Sequence, residues 1–231
     1  SGIPGQVGAT PIQNVGAYGQ EVRETITSVR AIDRNSLQEV EFTRAECDFS
    51  YRHSRFKGPD EDRFIITEVR YALREDGRPH LRYAELEQAV EMHQTAGPDA
   101  LNAVRTEVLA LRAGKSMVVA PDDPNSRSAG SFFVNPVLSQ EQFSTLQQQA
   151  EDVPSFPDAG GVKVPAAWLV ERAGFAKGYR RGGVGVSQRH ALALVNYDGS
   201  TRQLLELAAD IQREVEAQFS IRLKREPVVV S

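Results

Sequence analysis

The sequence has 231 residues, with 27 Lys or Arg against 31 Asp or Glu and a formal net charge of −4, so it lacks the basic excess typical of nucleic-acid-binding proteins. Its single cysteine, Cys47, excludes an internal disulfide framework and an all-cysteine zinc site. The lone cysteine favours a reducing cytosol, and no apolar run approaches the roughly 20 residues of a transmembrane helix. With the charge balance, these features lead us to expect a cytoplasmic protein that binds neither nucleic acid nor a membrane.

The first half of the chain is predicted to consist mainly of loops and strands. Residues 1–20 are rich in glycine and indicate a loop. Alternation of apolar and polar residues predicts a strand pair at 23–34 and 37–42, and a further strand at 63–73. Thr43, with a Glu three residues later, predicts a short capped helical turn after the strand pair.

Helices dominate the second half. Helical and strand spacing predicts, in chain order, helices at 99–112, 139–150 and 165–173, a strand at 190–195, a helix at 201–219 and a strand at 221–230. Ser139 and Gln142 form the sequence signature of a capping box at the start of the second helix. Strands in the first half and helices in the second indicate an α+β protein with two lobes.

Two segments of the first half carry residues suited to binding. Residues 8–19, GATPIQNVGAYG, combine glycines that let backbone N–H groups approach a phosphate or a flat ring with two side-chain amides. A set of tight turns is the alternative interpretation. Residues 49–57, FSYRHSRFK, place two Arg, a Lys and a His between aromatic residues, which suits either an anion clamp or a solvated basic turn.

Two further segments lie in the second half. Residues 125–136, NSRSAGSFFVNP, place the hydroxyl of Ser131 beside an apolar wall, with a hydroxyl-stabilised turn before a core strand as the alternative. Residues 180–196, RRGGVGVSQRHALALVN, contain a glycine run but lack the Lys-Ser/Thr pair of a nucleotide-binding P-loop. The histidines, at 53, 80, 93 and 190, show no zinc-binding spacing. No single segment decides a function.

Taken together and in order, these motifs make the chain resemble the UDP-N-acetylenolpyruvoylglucosamine reductase (MurB) family of flavoenzymes. The matching residues are IPGQVGATPIQNVGAYGQE at 3–21, YRHSRFK at 51–57, AGSFFVNP at 129–136, AAWLVERAG at 166–174, HALALVN at 190–196 and Glu226. Residues 81–83, Leu-Arg-Tyr, resemble the longer of the two subtypes of this family, which carries a mobile tyrosine loop.

The resemblance implies a fold and a division into domains. The fold is the carboxy-terminal part of a two-lobed FAD-binding reductase, of the PCMH or vanillyl-alcohol-oxidase type, with a separate α+β substrate lobe. Residues 1–118 would be the remainder of the FAD-binding domain, 119–220 the substrate-binding domain, and 221–231 a return strand. The amino-terminal half of the family, with its own pyrophosphate loop, is not matched. We therefore expect that half of the same enzyme as a partner, either on another chain or as a segment outside this sequence.

The resemblance also implies a reaction. NADPH reduces bound FAD, which then reduces the enolpyruvyl ether of UDP-N-acetylglucosamine to UDP-N-acetylmuramate for peptidoglycan precursor synthesis. By the same resemblance, Ser131 is the proton donor, Arg52 holds the substrate carboxylate and neutralises the enolate, and Glu226 is the catalytic glutamate. Val228 is a departure, because the family often has a basic residue two positions after that glutamate.

Binding residues follow from the resemblance as well, and no metal is among them. Contacts with FAD would come from the loop at 8–19, mainly through backbone atoms of Pro11, Ile12, Gln13, Asn14, Gly16 and Ala17. The sugar nucleotide would be bound by Tyr83, Arg112, Lys115, Asn135 and Phe156, with Tyr83 folding over it.

Two other functions remain open at this point. One is a non-catalytic sugar-nucleotide-binding fragment that lacks a complete flavin site. The other is a related FAD-dependent oxidase with a different substrate lobe, against which AGSFFVNP argues because that motif belongs to the substrate side of the family.

Overall fold

The computed structural model describes residues 1–90 and 96–230 and divides into two units, Ser1–Leu111 and Arg112–Ser231. Each unit has its own buried apolar cluster around a sheet, and the two clusters share no residue. The mixture of helix and antiparallel sheet is the α+β class that the sequence predicts. The predicted domain boundaries at 118 and 220 stay predictions, because compactness alone does not define a functional domain.

A three-stranded antiparallel sheet forms the framework of the first unit. Its order is β4 (Glu39–Thr43), β3 (Ile26–Asp33), β5 (Phe64–Tyr71), with β3 at the centre. Residues such as Val29 on one face of β3 are buried, while Arg30 on the other face pairs with Glu68 at 3.2 Å. This alternation matches the predicted strands, although β3 begins later than predicted because residues 22–24 form a 3-10 turn.

A hairpin and two helices complete the first unit. They are the hairpin β1 (Gly16–Ala17) and β2 (Gln20–Glu21), and the helices α1 (Ala84–Ala89) and α2 (Gly97–Gly114), of which the last three residues belong to the second unit. The predicted capped helical turn at residues 43–46 is present, with the Cys47 N–H donating to the Thr43 carbonyl at 3.1 Å. In it, the Thr43 N–H donates to the Glu46 carboxylate at 2.8 Å, and the Glu46 N–H donates to the Thr43 hydroxyl at 3.3 Å.

The second unit contains an antiparallel four-stranded sheet covered by a long helix. Its strands, in sheet order, are β11 (Arg180–Arg181), β12 (Val184–Val186), β13 (Ala193–Asn196) and β6 (Ser128–Ser131). The helix, α5 (Thr201–Phe219), begins with a capping box formed by Ser200 and Gln203. Its buried stripe, which includes Leu207 and Ile211, belongs to the same apolar cluster as Val184 and Leu194 of the sheet.

Two small sheets and two helices complete this unit. They are β7 (Phe133–Val134) with β14 (Lys224–Arg225), β8 (Val137–Leu138) with β10 (Gly161–Lys163) and β9 (Phe156–Asp158), and the helices α3 (Gln140–Gln149) and α4 (Ala166–Arg172). The strand predicted at 221–230 is wrong in extent, because only β14 pairs within it. Pro227, which lacks a backbone N–H, follows soon after. Across residues 1–90 and 96–230, no helix combines the length and apolarity needed to cross a membrane.

Candidate active site

Arg52 lies in a tight turn of the first unit. The Ser50 N–H donates to the His53 carbonyl at 3.1 Å, and the His53 N–H donates to the Ser50 carbonyl at 3.2 Å, with Tyr51 and Arg52 between them. Arg52 has a φ of +53°, in the left-handed region that residues other than glycine seldom occupy. Its guanidinium carbon lies 5.3 Å from the centroid of the Tyr51 ring. The turn thus places a half-buried cation in a defined backbone conformation.

The glycine-rich loop lies directly against this turn. A Cβ atom on Gly16 would come within 3.3 Å of Arg52 Nη1, so the guanidinium lies close to this glycine. The Ser54 hydroxyl donates to the Ile12 carbonyl at 2.6 Å. The two segments of the first half singled out by sequence are therefore brought together in one place.

The residues predicted to contact FAD offer small side chains and backbone atoms next to positive charge. Gly16 is half-buried and Ala17 is exposed, and neither covers the backbone with a large side chain. The Lys57 ammonium donates to Gln13 Oε1 at 2.7 Å, which places a second cation against the glycine-rich loop. This set fits the phosphates and flat ring of a flavin dinucleotide. Among the other predicted FAD contacts, Ile12 is half-buried, and Pro11 and Asn14 are buried.

Ser131 and Glu226 are brought together in the second unit although they lie far apart in sequence. Ser131 ends β6, and the next residue, Phe132, accepts a hydrogen bond from the Glu226 backbone N–H at 2.9 Å. Pairing of β14 with β7 places Arg225 opposite Phe133 and fixes this arrangement. Ser131 and Glu226 are both half-buried. Backbone pairing therefore brings Glu226 against the residue that directly follows Ser131.

The backbone next to Ser131 is irregular. Gly130 has a φ of +76°, and no atom lies closer to its would-be Cβ than Met117 Sδ at 3.9 Å, so the requirement for glycine is conformational rather than steric. β13 pairs with β6 through a register shift between Ala193 and Val195, and Ala193 is the partner of Ser131. Such irregularities redirect side chains at functional sites.

The predicted substrate-binding residues of the second unit differ in environment. The Arg112 guanidinium donates to the Met117 carbonyl at 2.7 Å and so braces the turn that contains Lys115. Asn135 caps α4, since its amide oxygen accepts from the Ala166 N–H at 2.9 Å. Phe156, in β9, is 55% exposed and is available to stack on a flat ring.

Tyr83 packs on a residue that the sequence interpretation missed. Its ring meets the Tyr18 ring edge to face, with centroids 5.2 Å apart. Two polar contacts lie close by in sequence. Arg82 Nη1 forms an ion pair with Glu24 Oε1 at 3.1 Å, and the Gln20 amide donates to the His80 carbonyl at 3.0 Å. We call residues 80–83 the tyrosine segment. Nothing in the spacing of Tyr18 or Glu24 identifies these long-range partners.

A buried polar network in the second unit was also missed. Asn125 Oδ1 accepts from the Gln188 N–H and from the Tyr197 hydroxyl, each at 3.0 Å. Hydrogen bonds from Ser116 and from the Asn125 amide lower the pKa of the Asp123 carboxyl. The Asp-Pro-Asn sequence at 123–125, typical of a side-chain-stabilised turn, is the signal that could have revealed this network.

The structure thus brings the predicted residues together in two groups. Arg52 and the predicted FAD contacts form one group in the first unit, whereas Ser131 and Glu226 form another in the second. Within residues 1–90 and 96–230, no cluster of three or more His, Cys, Asp or Glu side chains is arranged to hold a metal ion.

This chain is similar to proteins of one known family, whose curated members match it along its whole length. Residues 122–230 match the family model of the UDP-N-acetylenolpyruvoylglucosamine reductase C-terminal domain. The UDP-N-acetylenolpyruvoylglucosamine reductase of Thermobifida fusca is 46% identical over 241 residues, covering 100% of this chain and 67% of the relative. That of Streptomyces coelicolor is 47% identical, covering 100% of this chain and 62% of the relative. The chain therefore spans about two thirds of the length of the curated relatives it matches.

A solved structure supports the fold. The crystal structure of the UDP-N-acetylenolpyruvylglucosamine reductase of Thermus caldophilus matches with a TM-score of 0.58 and 21% sequence identity. The match covers 97% of this chain and 60% of that chain. At this identity the likeness shows a shared fold.

Proposed function

Because this chain belongs to the UDP-N-acetylenolpyruvoylglucosamine reductase family, we propose that it reduces UDP-N-acetylglucosamine enolpyruvate to UDP-N-acetylmuramate in peptidoglycan precursor synthesis. The observation that carries the proposal is the backbone hydrogen bond from Glu226 to Phe132, the residue that follows Ser131, which links the two segments predicted to carry catalytic residues. When bound, FAD supplies the hydride, with NADPH as its source. The proposed location is the cytoplasm, and the proposed partner is the remaining part of the family's FAD-binding domain.

Ser131 is the proposed proton donor. Addition of hydride to the enol carbon distal to the carboxylate leaves negative charge on the neighbouring carbon. A hydroxyl is a weak acid, but the enolate is a strong base, so transfer from Ser131 Oγ requires mainly correct placement. The left-handed Gly130 and the register shift opposite Ser131 support this role, because such irregularities redirect side chains.

Arg52 and Glu226 are the proposed electrostatic partners of the reaction. The guanidinium of Arg52 matches the geometry of a carboxylate and would neutralise charge that grows on the enolate. The carboxyl group of Glu226 would hydrogen-bond the reacting end of the substrate. Arg112, Lys115, Asn135 and Phe156 would bind the sugar nucleotide, and Tyr83 would cover it.

The test measures NADPH oxidation with UDP-N-acetylglucosamine enolpyruvate and the flavin absorbance of the same sample. We expect Ser131→Ala to retain flavin and lose at least about 100-fold in kcat, since general acid catalysis contributes roughly 10²- to 10⁴-fold. Ser144→Ala is the matched control, because Ser144 lies on the exposed face of α3 and bonds only the Gln140 carbonyl among the contacts described for it.

Two results would contradict the proposal. Normal turnover by Ser131→Ala would show that Ser131 is not the proton donor. Absence of both flavin and turnover in the unsubstituted protein, with UDP-sugar binding retained, would favour the non-catalytic binding fragment.

A further inference from the structure

Asn14 has no exposed surface, and every hydrogen bond described for its side chain is internal. Its Nδ2 donates to Glu21 Oε2 at 3.0 Å and to the Ser50 carbonyl at 2.9 Å, and its Oδ1 accepts from the Arg23 backbone N–H at 3.1 Å. Both amide hydrogens are therefore used within the protein. The side chain of Asn14 is thus fully engaged within the protein.

The Ser50 carbonyl belongs to the turn that carries Arg52. It accepts hydrogen bonds from both the His53 N–H and the Asn14 amide. On the other side of the turn, the fully buried Ser54 donates its hydroxyl to the Ile12 carbonyl at 2.6 Å. The turn is thus attached to the glycine-rich loop on both sides of Arg52.

Glu21 joins the same network from the hairpin. Its carboxylate accepts from Asn14 and forms an ion pair with Arg23 Nε at 2.7 Å. A Cβ on Gly16 would lie 2.7 Å from Glu21 Cγ and 3.3 Å from Arg52 Nη1, so both side chains pack against the same glycine. The network therefore holds in place the glycine against which the Arg52 guanidinium packs.

We propose that Asn14 is the positioning residue for Arg52, holding its turn so that the guanidinium meets the carboxylate of the substrate. This inference rests on the proposed function. A misplacement of about 1 Å in a catalytic group can cost roughly 100-fold in rate, so a fixed turn has a direct effect on turnover. The left-handed φ of Arg52, +53°, is uncommon for a residue other than glycine and indicates that surrounding contacts hold this turn in place.

A double-variant cycle tests the inference. Asn14→Asp keeps the shape of the side chain and an acceptor for the Arg23 N–H, but replaces both amide donors with an oxygen that faces Glu21 and the Ser50 carbonyl. We expect kcat to fall about 10- to 100-fold, with flavin absorbance unchanged and amide hydrogen exchange at residues 49–54 accelerated. Because the two residues act as one unit, Asn14→Asp combined with Arg52→Lys is expected to be no slower than the slower single variant.

Asn125→Asp is the control, since it alters a buried amide of the second unit, and its effect is expected to multiply with that of Arg52→Lys. The inference would be overturned if the effects of Asn14→Asp and Arg52→Lys on kcat multiply, or if Asn14→Asp loses its flavin. Full turnover by Arg52→Lys would instead overturn the proposed role of Arg52, and the inference with it. If Asn14→Asp does not fold, Ser54→Ala replaces it in the cycle, because it releases the other side of the same turn.

Discussion

Cys47 shows how burial controls the reactivity of a single side chain. It has no exposed surface, and burial raises the pKa of its thiol to about 11, although the nearby Arg55 opposes that shift. At pH 8 only about one thiol in a thousand is then ionised, and the thiolate is the form that reacts.

We therefore expect iodoacetamide at pH 8 to label Cys47 in the folded protein at least about 100-fold more slowly than in denaturant. Mass spectrometry of samples quenched at intervals gives both rates. Equal rates in the two conditions would show that the thiol is accessible. Cys47 belongs to the apolar cluster of the first unit, so this measurement also reports the integrity of that cluster.

The contact between the tyrosine segment and the hairpin depends on a glycine. A Cβ on Gly19 would lie 2.8 Å from Arg82 Cβ and 3.1 Å from its carbonyl carbon. Gly19→Ala is therefore expected to push the tyrosine segment away, in addition to the roughly 1 kcal/mol cost of a left-handed alanine. We expect amide hydrogen exchange at residues 80–83 to accelerate several-fold.

Gly174→Ala is the matched control, because Gly174 also has a positive φ but no atom lies within 4 Å of its would-be Cβ. It is expected to cost similar stability without altering exchange in the tyrosine segment. Equal protection of that segment in both variants would show that Gly19 does not fix its position.

At the level of elements, the sequence predicts what depends on local chemistry and fails where distant contacts decide. The capping box of Ser139 and Gln142 and the apolar stripe of α5 are visible in the sequence, and both are present in the structure. The strand pair of the 26–43 region follows from alternation alone. By contrast, only Lys224–Arg225 pairs within the predicted last strand, since pairing requires β7 as a partner. The contact of Tyr18 with Tyr83 likewise has no local signal.

The candidate site shows the same division. The sequence motifs predict which residue types occur in the site and which segments carry them. The internal role of the Asn14 carboxamide depends on Ser50 and Glu21, which meet it only after folding. The placement of Glu226 beside Phe132 likewise depends on a sheet register that the sequence does not encode locally.

For the whole molecule, the apolar clusters of the described residues divide between the two units, with the largest lying in the second unit. Leu194 is fully buried in this largest cluster. We expect Leu194→Ala to destabilise the second unit by about 2–5 kcal/mol, because it leaves a cavity in a close-packed core. Hydrogen exchange is expected to lose protection in β12, β13 and α5 while β3 keeps its protection. Equal loss in β3 would contradict separate stabilisation of the two units.

The hydrogen bond between Glu226 and Phe132 also affects the order of folding. It joins residues on opposite sides of α3, α4 and α5, so forming it closes a long loop at a cost in chain entropy. Contacts of such high sequence separation slow folding, whereas α5 and the β12–β13 pair rest on neighbouring residues. We therefore expect the second unit to acquire most of its secondary structure before the Glu226 N–H reaches the Phe132 carbonyl, so that the arrangement of the proposed catalytic residues forms late in folding.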